Sequence, residues 1–570
     1  MIRTLRPPAF LLALCFAALA AARDAPTGPP GYAVASAHPL ATRAGLEILE
    51  QGGNAFDAAV AVSAALAVVE PESSGIGGGG FWLLHRESDG FQTLVDGRET
   101  APLAASAGMY LDARGVAESK RSLNGALATA IPGAPAAWAH LAQKYGSKPL
   151  GKLLAPAVRL AREGFPVDAK LARALAVAED RLSAAAAAVF LPEGVPPALG
   201  SVVRQPELAT TLERLGRDGR KAFYEGPLAE QLVAGVRAGG GVWVAEDLRR
   251  YRVIERKPLQ FHFRDYRLTS APPPSAGGVA LAQALTMLEA RGWPPADPVQ
   301  AKHQLAEVMR RAYRDRRLLG DPDFVAMPLH RLLSREYLLA LARGIRLDAA
   351  TPSELLPPAG EGDNTSHFSI LDAAGNRVAG TVTINTGFGS AFMPPGTGVL
   401  LNNEMDDFAA SPTASNAYGL VGSAANAIAP GKRPLSSMSP TFVEGPRGLL
   451  IVGTPGGGRI ISMVLRGSLG FIHGMSAQEV VELPRYHHQY LPDQIEYEPG
   501  ALSADEQAGL NALGHRLRVV SSRFGNMQAV WWDKSHDELQ AAADPRGGGS
   551  AEVKRLRPAP AAPSADQVGR

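Results

Sequence analysis

Cysteine is almost missing from this chain: its 570 residues include one, Cys15, close to the N-terminus. All later stretches therefore lack the means for a disulfide, a thiolate nucleophile or a cysteine-ligated metal. An excess of charge is missing too. Lys and Arg number 57 against 55 Asp and Glu, a formal +2, which offers no electrostatic footing for nucleic acid or an anionic membrane. Aromatics are scarce at 6%, while 46% of residues are apolar, the composition of a globular protein with a large core. Beyond residue 22 no stretch reaches the roughly 18 uncharged apolar residues of a membrane span. Residues 120–350 contain no internal repeat.

The first residues are of a different kind. Arg3 and Arg6 precede an apolar run from Ala9 to Ala22 that ends in small residues before Arg23. A basic start, a short apolar centre and a small-residue end predict a cleavable secretory signal over 1–22; an uncleaved N-terminal anchor is the alternative. Cys15 lies inside it. An exported chain free of cysteine and rich in Ala and Arg suits a bacterial periplasm, with no membrane association in the mature form.

After a linker at Pro26–Pro30, YAVAS reads as a strand and the next segment as an amphipathic helix ended by Gly52-Gly53. Asn54 caps a second helix, AFDAAVAVSAALAVV, whose apolar residues on all sides predict deep burial. A glycine run, Gly75 to Gly80 around Ile76, is read as a tight structural turn, followed by strands FWLLH and FQTLVDGRE. Residues 120–350 read as mostly helical. Residues 351–364 (TPSELLPPAGEGDN) lose all periodicity and predict an exposed loop open to cleavage. The Pro- and Ala-rich 555–570 reads as a disordered tail.

SHFSILD and RVAGTVTIN alternate with period two around Ala373-Ala374-Gly375-Asn376, which predicts a hairpin. A turn centred near Ala374-Gly375 makes paired positions sum to about 749 and sets Thr365 opposite residues 383–385. Thr383 and Asn385 then share a strand face beside Thr365. A threonine hydroxyl is a poor nucleophile until a base removes its proton. A free α-amine on the same residue, with a pKa of about 7.7–8.0, can be that base. This requires the Asn364–Thr365 bond to be cut, and the hydroxyl can attack its own preceding carbonyl.

TSHFSILD, TVTINTGFGS, LLNNEMDDF, GKRPLSSMSPTFV and GTPGGGRI, together with GGNAFDAAVAVSAALAVVEPESSGIGGGGF and DGRETAP, resemble the gamma-glutamyltransferases, a family of N-terminal-nucleophile hydrolases. The resemblance spans nearly the whole mature chain. It implies an α/β fold, a four-layer αββα sandwich built by a large fragment (23–364) and a small catalytic fragment (365–570) that stay together as a heterodimer. It also implies Thr365 as nucleophile, Thr383 as its hydroxyl partner and Gly456 and Gly457 as the oxyanion hole. Arg98, Ser436 and Ser437 match the residues that bind the substrate α-carboxylate; Asn385, Glu404 and Asp407 match those that bind the α-ammonium. Position 404 is Glu where many bacterial members carry Gln. Residues 409–422 resemble a lid loop, with Tyr418 as its tyrosine. The implied donors are glutathione and other γ-glutamyl compounds, the acceptors water, amino acids or dipeptides, with no cofactor and no metal.

Several tempting residues read blandly. GTPGGGRI lacks the GxxxxGK[ST] pattern of a phosphate loop. His487-His488 point to opposite strand faces with no third metal ligand apparent. His367 reads as packing, and Trp531-Trp532 as core and sheet edge. Two other functions stay open: a cephalosporin or glutaryl acylase of the same fold, and an uncleaved binding protein.

Overall fold

The computed structural model describes residues 28–353, 365–410, 416–417, 419–420 and 422–556. The 1–22 signal, Asn364 and Tyr418 lie outside the described residues.

The described chain begins with β1 (Gly31–Ser36), then α1 (Pro39–Glu50) and α2 (Ala55–Val69). Asn54 caps α2 by accepting from the Phe56 and Asp57 N–H groups, and Asp57 accepts from the Asn54 N–H in return. All fifteen residues of α2 are buried, as its missing polar face requires. Each Val, Leu or Phe hidden there contributes about 1.5–3 kcal/mol. Next come β2 (Gly79–Arg86), β3 (Phe91–Gly97), α3 (Ala134–Lys144), α4 (Leu150–Glu163) and α5 (Pro206–Asp218). Three short strands follow, β4 (Ile254–Arg256), β5 (Leu259–Phe263) and β6 (Tyr266–Ser270), then α6 (Gly277–Ala290) and α7 (Pro298–Arg316). Past the 354–364 segment lie β7 (Ser366–Leu371), β8 (Arg377–Thr383), β9 (Thr441–Gly445), β10 (Gly448–Gly453) and α8 (Ile460–Ile472). β11 (Gln528–Asp533), β12 (Glu538–Ala543) and β13 (Ser550–Arg555) complete the two large sheets.

One sheet runs β13-β1-β7-β8-β2-β3-β4 and the other β12-β11-β10-β9-β6-β5, with every neighbouring pair antiparallel. Side chains alternate between two apolar cores. Trp82 and Leu84 of β2 join the core shared with α2, α3, α4 and α5, whereas Phe81 and Leu83 face the core shared with the second sheet. That second core continues under α6, α7 and α8. The result is helix, sheet, sheet, helix: the four-layer αββα sandwich. Because the central strands are covered on both faces, their register cannot slip without turning apolar side chains toward the wrong core.

The β7–β8 hairpin forms as the alternation predicts. Its pairs run from Arg377↔Leu371 to Val382↔Ser366 and sum to 748, one less than the expected sum and within one bulge of it. Asp372 fixes the turn, accepting from the N–H groups of Ala374 and Asn376.

The stretch 120–350 is mostly helical as expected, with β4–β6 inside it and β5–β6 at the edge of the second sheet. The β5–β6 turn is Arg264-Asp265, with Arg264 at φ 51°. Two expectations need correction. Arg555 belongs to β13 and pairs with Gly31, so a tail starting at 555 begins too early. Trp531 and Trp532 are buried core, but β11 lies between β10 and β12 and is not an edge.

The interior also holds neutral histidines. Burial lowers the pKa of His367 to about 3 and of His487 and His488 to about 4. The unfolded chain takes up these protons near 6.5 and the folded chain only near 3–4, so the unfolded state binds more protons between those values. Their contribution to stability is full above about pH 6.5 and is lost toward pH 4, at roughly 1.4 kcal/mol per pH unit for each. The melting temperature is expected to fall steadily between pH 6.5 and 4.5; a flat profile by differential scanning calorimetry contradicts the assignment.

Candidate active site

Where the hairpin's open end meets the glycine run, the backbones come very close. A Cβ on Gly77 would lie 2.1 Å from the Leu400 carbonyl oxygen, and one on Gly78 only 2.0 Å from that of Thr383. No side chain fits there, which gives the run its structural reason. Thr365, at the head of β7, is buried, and its Oγ1 lies 3.3 Å from Thr383 Oγ1. Thr383 Oγ1 also accepts from the Asn385 N–H at 2.8 Å. Ser366 is held from below: its hydroxyl donates to Glu70 at 2.6 Å, and Glu70 pairs with Lys170, which also reaches Glu72 at 3.0 Å.

Asn385 reaches the site by a route that strand alternation does not describe. β8 ends at Thr383, and Asn385 takes φ 77°, sending its Nδ2 to the Asn403 carbonyl at 3.0 Å. The shared strand face with Thr383 is therefore replaced by a left-handed turn. Asn402 secures the following acidic turn. Its Nδ2 donates to the Gly77 and Ala130 carbonyls and its Oδ1 accepts from the Ala130 and Glu404 N–H groups.

Arg98 is the electrostatic centre. Its guanidinium lies 2.6 Å from Glu404 Oε2 and 2.5 Å from Asp407 Oδ2, with Glu99 at 3.5 Å. The Glu404 contact is an ion pair without hydrogen-bond alignment, because both Glu404 oxygens are buried with no donor directed at them. Asp407 also accepts from Asn416 at 2.9 Å. Burial pushes the Glu404 carboxyl well above the usual range, aided by Glu99 and Asp407 and opposed by Arg98. Burial likewise raises Glu99 to about 7. Desolvation disfavours the Arg98 cation, but its three carboxylate neighbours outweigh it and keep it charged.

These groups share one cavity, lined by Thr365, Thr383, Asn385, Glu404, Asp407 and Arg98. Ser436, Ser437, Gly457, Leu420 and Arg316 line it too, with Met438 and Ile460. The Ser436-Ser437 loop is fixed by backbone bonds to the segment between β6 and α6, with the Ser436 N–H donating to Pro274 O at 2.8 Å and the Ala276 N–H to Ser436 O at 2.9 Å. Ser437 Oγ is buried without a partner. Gly456 takes φ 136° and Gly457 φ 53° in the turn leading to α8, and of the two only Gly457 lines the cavity. Neither N–H meets an acceptor among the described residues. Asp406, whose carboxyl burial raises to about 6, ties the stem of the 409–422 loop in place by accepting from Ala417 N–H and Ser122 Oγ. Tyr418 itself falls outside the described residues.

The sequence motifs thus converge, while Arg316, Asp406, Asn402 and Glu70 escaped sequence reasoning. Arg316 sits in a run of arginines alike in sequence, and the tertiary fold buries it against the cavity. His487 and His488 are occupied by Ser462, Gln489, Asp493 and the Tyr490 N–H. The described residues contain one group with ligand spacing, His303, Glu307 and His515. Glu307 is already paired with Arg310 and Arg311, which oppose a further cation there.

A family model described as Gamma-glutamyltranspeptidase matches residues 41–553. Glutathione hydrolase proenzymes of Pseudomonas sp. (strain A14) and Escherichia coli (strain K12) are 43% and 41% identical, over 87% and 90% of this chain and 88% and 90% of theirs. Among solved structures, the cephalosporin acylase from Bacillus halodurans superimposes with a TM-score of 0.81 at 31% identity, covering 92% of this chain and 96% of its own. The Helicobacter pylori gamma-Glutamyltranspeptidase matches at 38% identity with a TM-score of 0.53, over 56% of this chain and 92% of its own. With the family match spanning most of the chain and the cavity uniting the family's motif residues, the chain belongs to the gamma-glutamyltranspeptidase family.

Proposed function

We propose that this chain is a glutathione hydrolase and γ-glutamyltransferase that cuts itself before Thr365 and then works from that residue. The observation that carries the reading is a buried threonine hydroxyl, 3.3 Å from a second hydroxyl, in one cavity with both acidic and cationic groups. The family match and the proenzyme names of the relatives support it.

In maturation, Thr365 Oγ1 attacks the Asn364 carbonyl carbon and the C–N bond to Thr365 breaks. This leaves an ester on Oγ1 and a free α-amine. Water opens the ester, giving an Asn364 carboxylate and an N-terminal Thr365. In turnover, that amine takes the hydroxyl proton while Oγ1 attacks the γ-carbonyl carbon of the donor. Thr383 donates to the reacting oxygen, and the N–H groups of Gly456 and Gly457 receive the developing oxyanion. Collapse expels the amine, cysteinylglycine where glutathione is the donor, which carries the proton away. The γ-glutamyl ester then passes to water, an amino acid or a dipeptide. Asn385, Glu404 and Asp407 receive the donor's α-ammonium; Arg98, Ser436 and Ser437 its α-carboxylate. Tyr418 and its loop cover the ester until an acceptor arrives.

Glutaryl-type acylase substrates lack the ammonium, and the acidic pair at 404 and 407 favours a donor that has one. Export by the 1–22 signal to a bacterial periplasm, and a heterodimer of 23–364 with 365–570, belong to the same reading. No described helix is long and apolar enough to cross a membrane.

Denaturing electrophoresis of the purified protein is expected to show two fragments, the smaller with Thr365 as its first residue by N-terminal sequencing. Thr365→Ala should stay a single chain and lose γ-glutamyl anilide hydrolysis by at least about 10³-fold; normal processing of that variant would falsify the mechanism. Arg98→Ala leaves three carboxyls buried without their counter-charge and should cost about 3–5 kcal/mol, read as a drop in melting temperature alongside lost turnover.

A further inference from the structure

α7 ends in a cluster of arginines, and its members differ in one respect. Arg310 and Arg311 pair with Glu307 at 3.1 and 2.6 Å, and Arg314 pairs with Asp315 at 3.0 Å. Arg316, the last residue of the helix, is only 8% exposed, and its side chain forms no hydrogen bond or ion pair among the described residues. Its Nε is buried without an acceptor. The guanidinium lines the same cavity as Thr365. Burial lowers its pKa to about 10, so it is a cation at neutral pH.

An unpaired buried charge is costly and calls for an anion. The cavity supplies a second unmet donor, the Ser437 hydroxyl. Arg98, by contrast, already faces Glu404 and Asp407. A carboxylate entering this cavity therefore finds Arg98 in ion pairs with two acidic groups and Arg316, though attracted by Asp407, without a hydrogen bond or ion pair of its own.

We propose that Arg316 is a further specificity-determining residue of the donor subsite, binding the α-carboxylate of the γ-glutamyl group together with Ser437 and Arg98. This rests on the γ-glutamyl reading. The ammonium is received by Asn385, Glu404 and Asp407, and the carboxylate by the two guanidiniums. A lone Arg98, flanked by Glu404 and Asp407, holds a carboxylate weakly because those neighbours repel it; Arg316 overcomes that repulsion.

The test compares two p-nitroanilides, γ-glutamyl and 4-aminobutyryl, which differ only by the α-carboxylate. Wild-type enzyme should prefer the γ-glutamyl anilide; if it does not, the donor reading itself fails, whatever Arg316 does. Arg316→Gln should lower kcat/KM for the γ-glutamyl anilide by about 30-fold, mainly through KM, and for the 4-aminobutyryl anilide by no more than about threefold. Arg316→Lys, which keeps the buried charge, should fall between wild type and Arg316→Gln. An equal loss on both anilides, or an unchanged preference in both variants, overturns the proposal. So does failure of both variants to yield the two fragments, since that would make Arg316 a requirement of the fold.

Discussion

The pairing of β7 with β8 in the middle of the first sheet is the constraint from which the cavity follows. β7 is bonded on its other side to β1, and β8 to β2, so neither strand can shift without moving four. Thr365 is the residue just before this ladder starts, and Thr383 is where the opposite strand ends. A slip of one residue would carry the hydroxyl to the other face of the sheet. The Ser366–Glu70–Lys170 chain of contacts ties the head of β7 to the end of α2 as well. A reactive side chain on a loop would lack this definition.

The same sheet explains how a chain could be severed before Thr365 and keep its shape. β1, β2, β3 and β4 precede the 354–364 segment, and β7, β8 and β13 follow it, yet they alternate within one sheet. The second sheet likewise combines β5 and β6 with β9 to β12. Both apolar cores draw side chains from both parts. One peptide bond contributes little against cores of that extent, so the two parts are held by burial rather than by covalent continuity.

Electrostatics adds a cost that packing does not need. Arg98, Glu99, Glu404 and Asp407 concentrate charge where apolar side chains of equal volume would serve stability at least as well. They set two acidic side chains, Glu404 and Asp407, against the Arg98 guanidinium in the cavity that Thr365 also lines. The glycine run contributes by absence, since any side chain at Gly78 would push the Thr383 carbonyl out of place.

Local pattern alone determined the buried α2 helix with its Asn54 cap and the β7–β8 hairpin with its register to within one residue. It did so because helix periodicity, capping and strand alternation are written in adjacent residues. The motifs around Arg98, Glu404, Asp407, Ser436 and Gly457 were legible as well, though their meeting in one cavity was visible only through resemblance. Tertiary structure decided the rest. β5 and β6 turn at Arg264-Asp265, with Arg264 left-handed where glycine or asparagine would announce a tight hairpin. Asn385 enters by a positive φ rather than by strand alternation. Arg316 lies among arginines that look alike in sequence; tertiary packing buries Arg310, Arg311 and Arg316 and gives only the first two an ion pair. Contacts between residues hundreds of positions apart depend on how layers stack, and no local spacing encodes that.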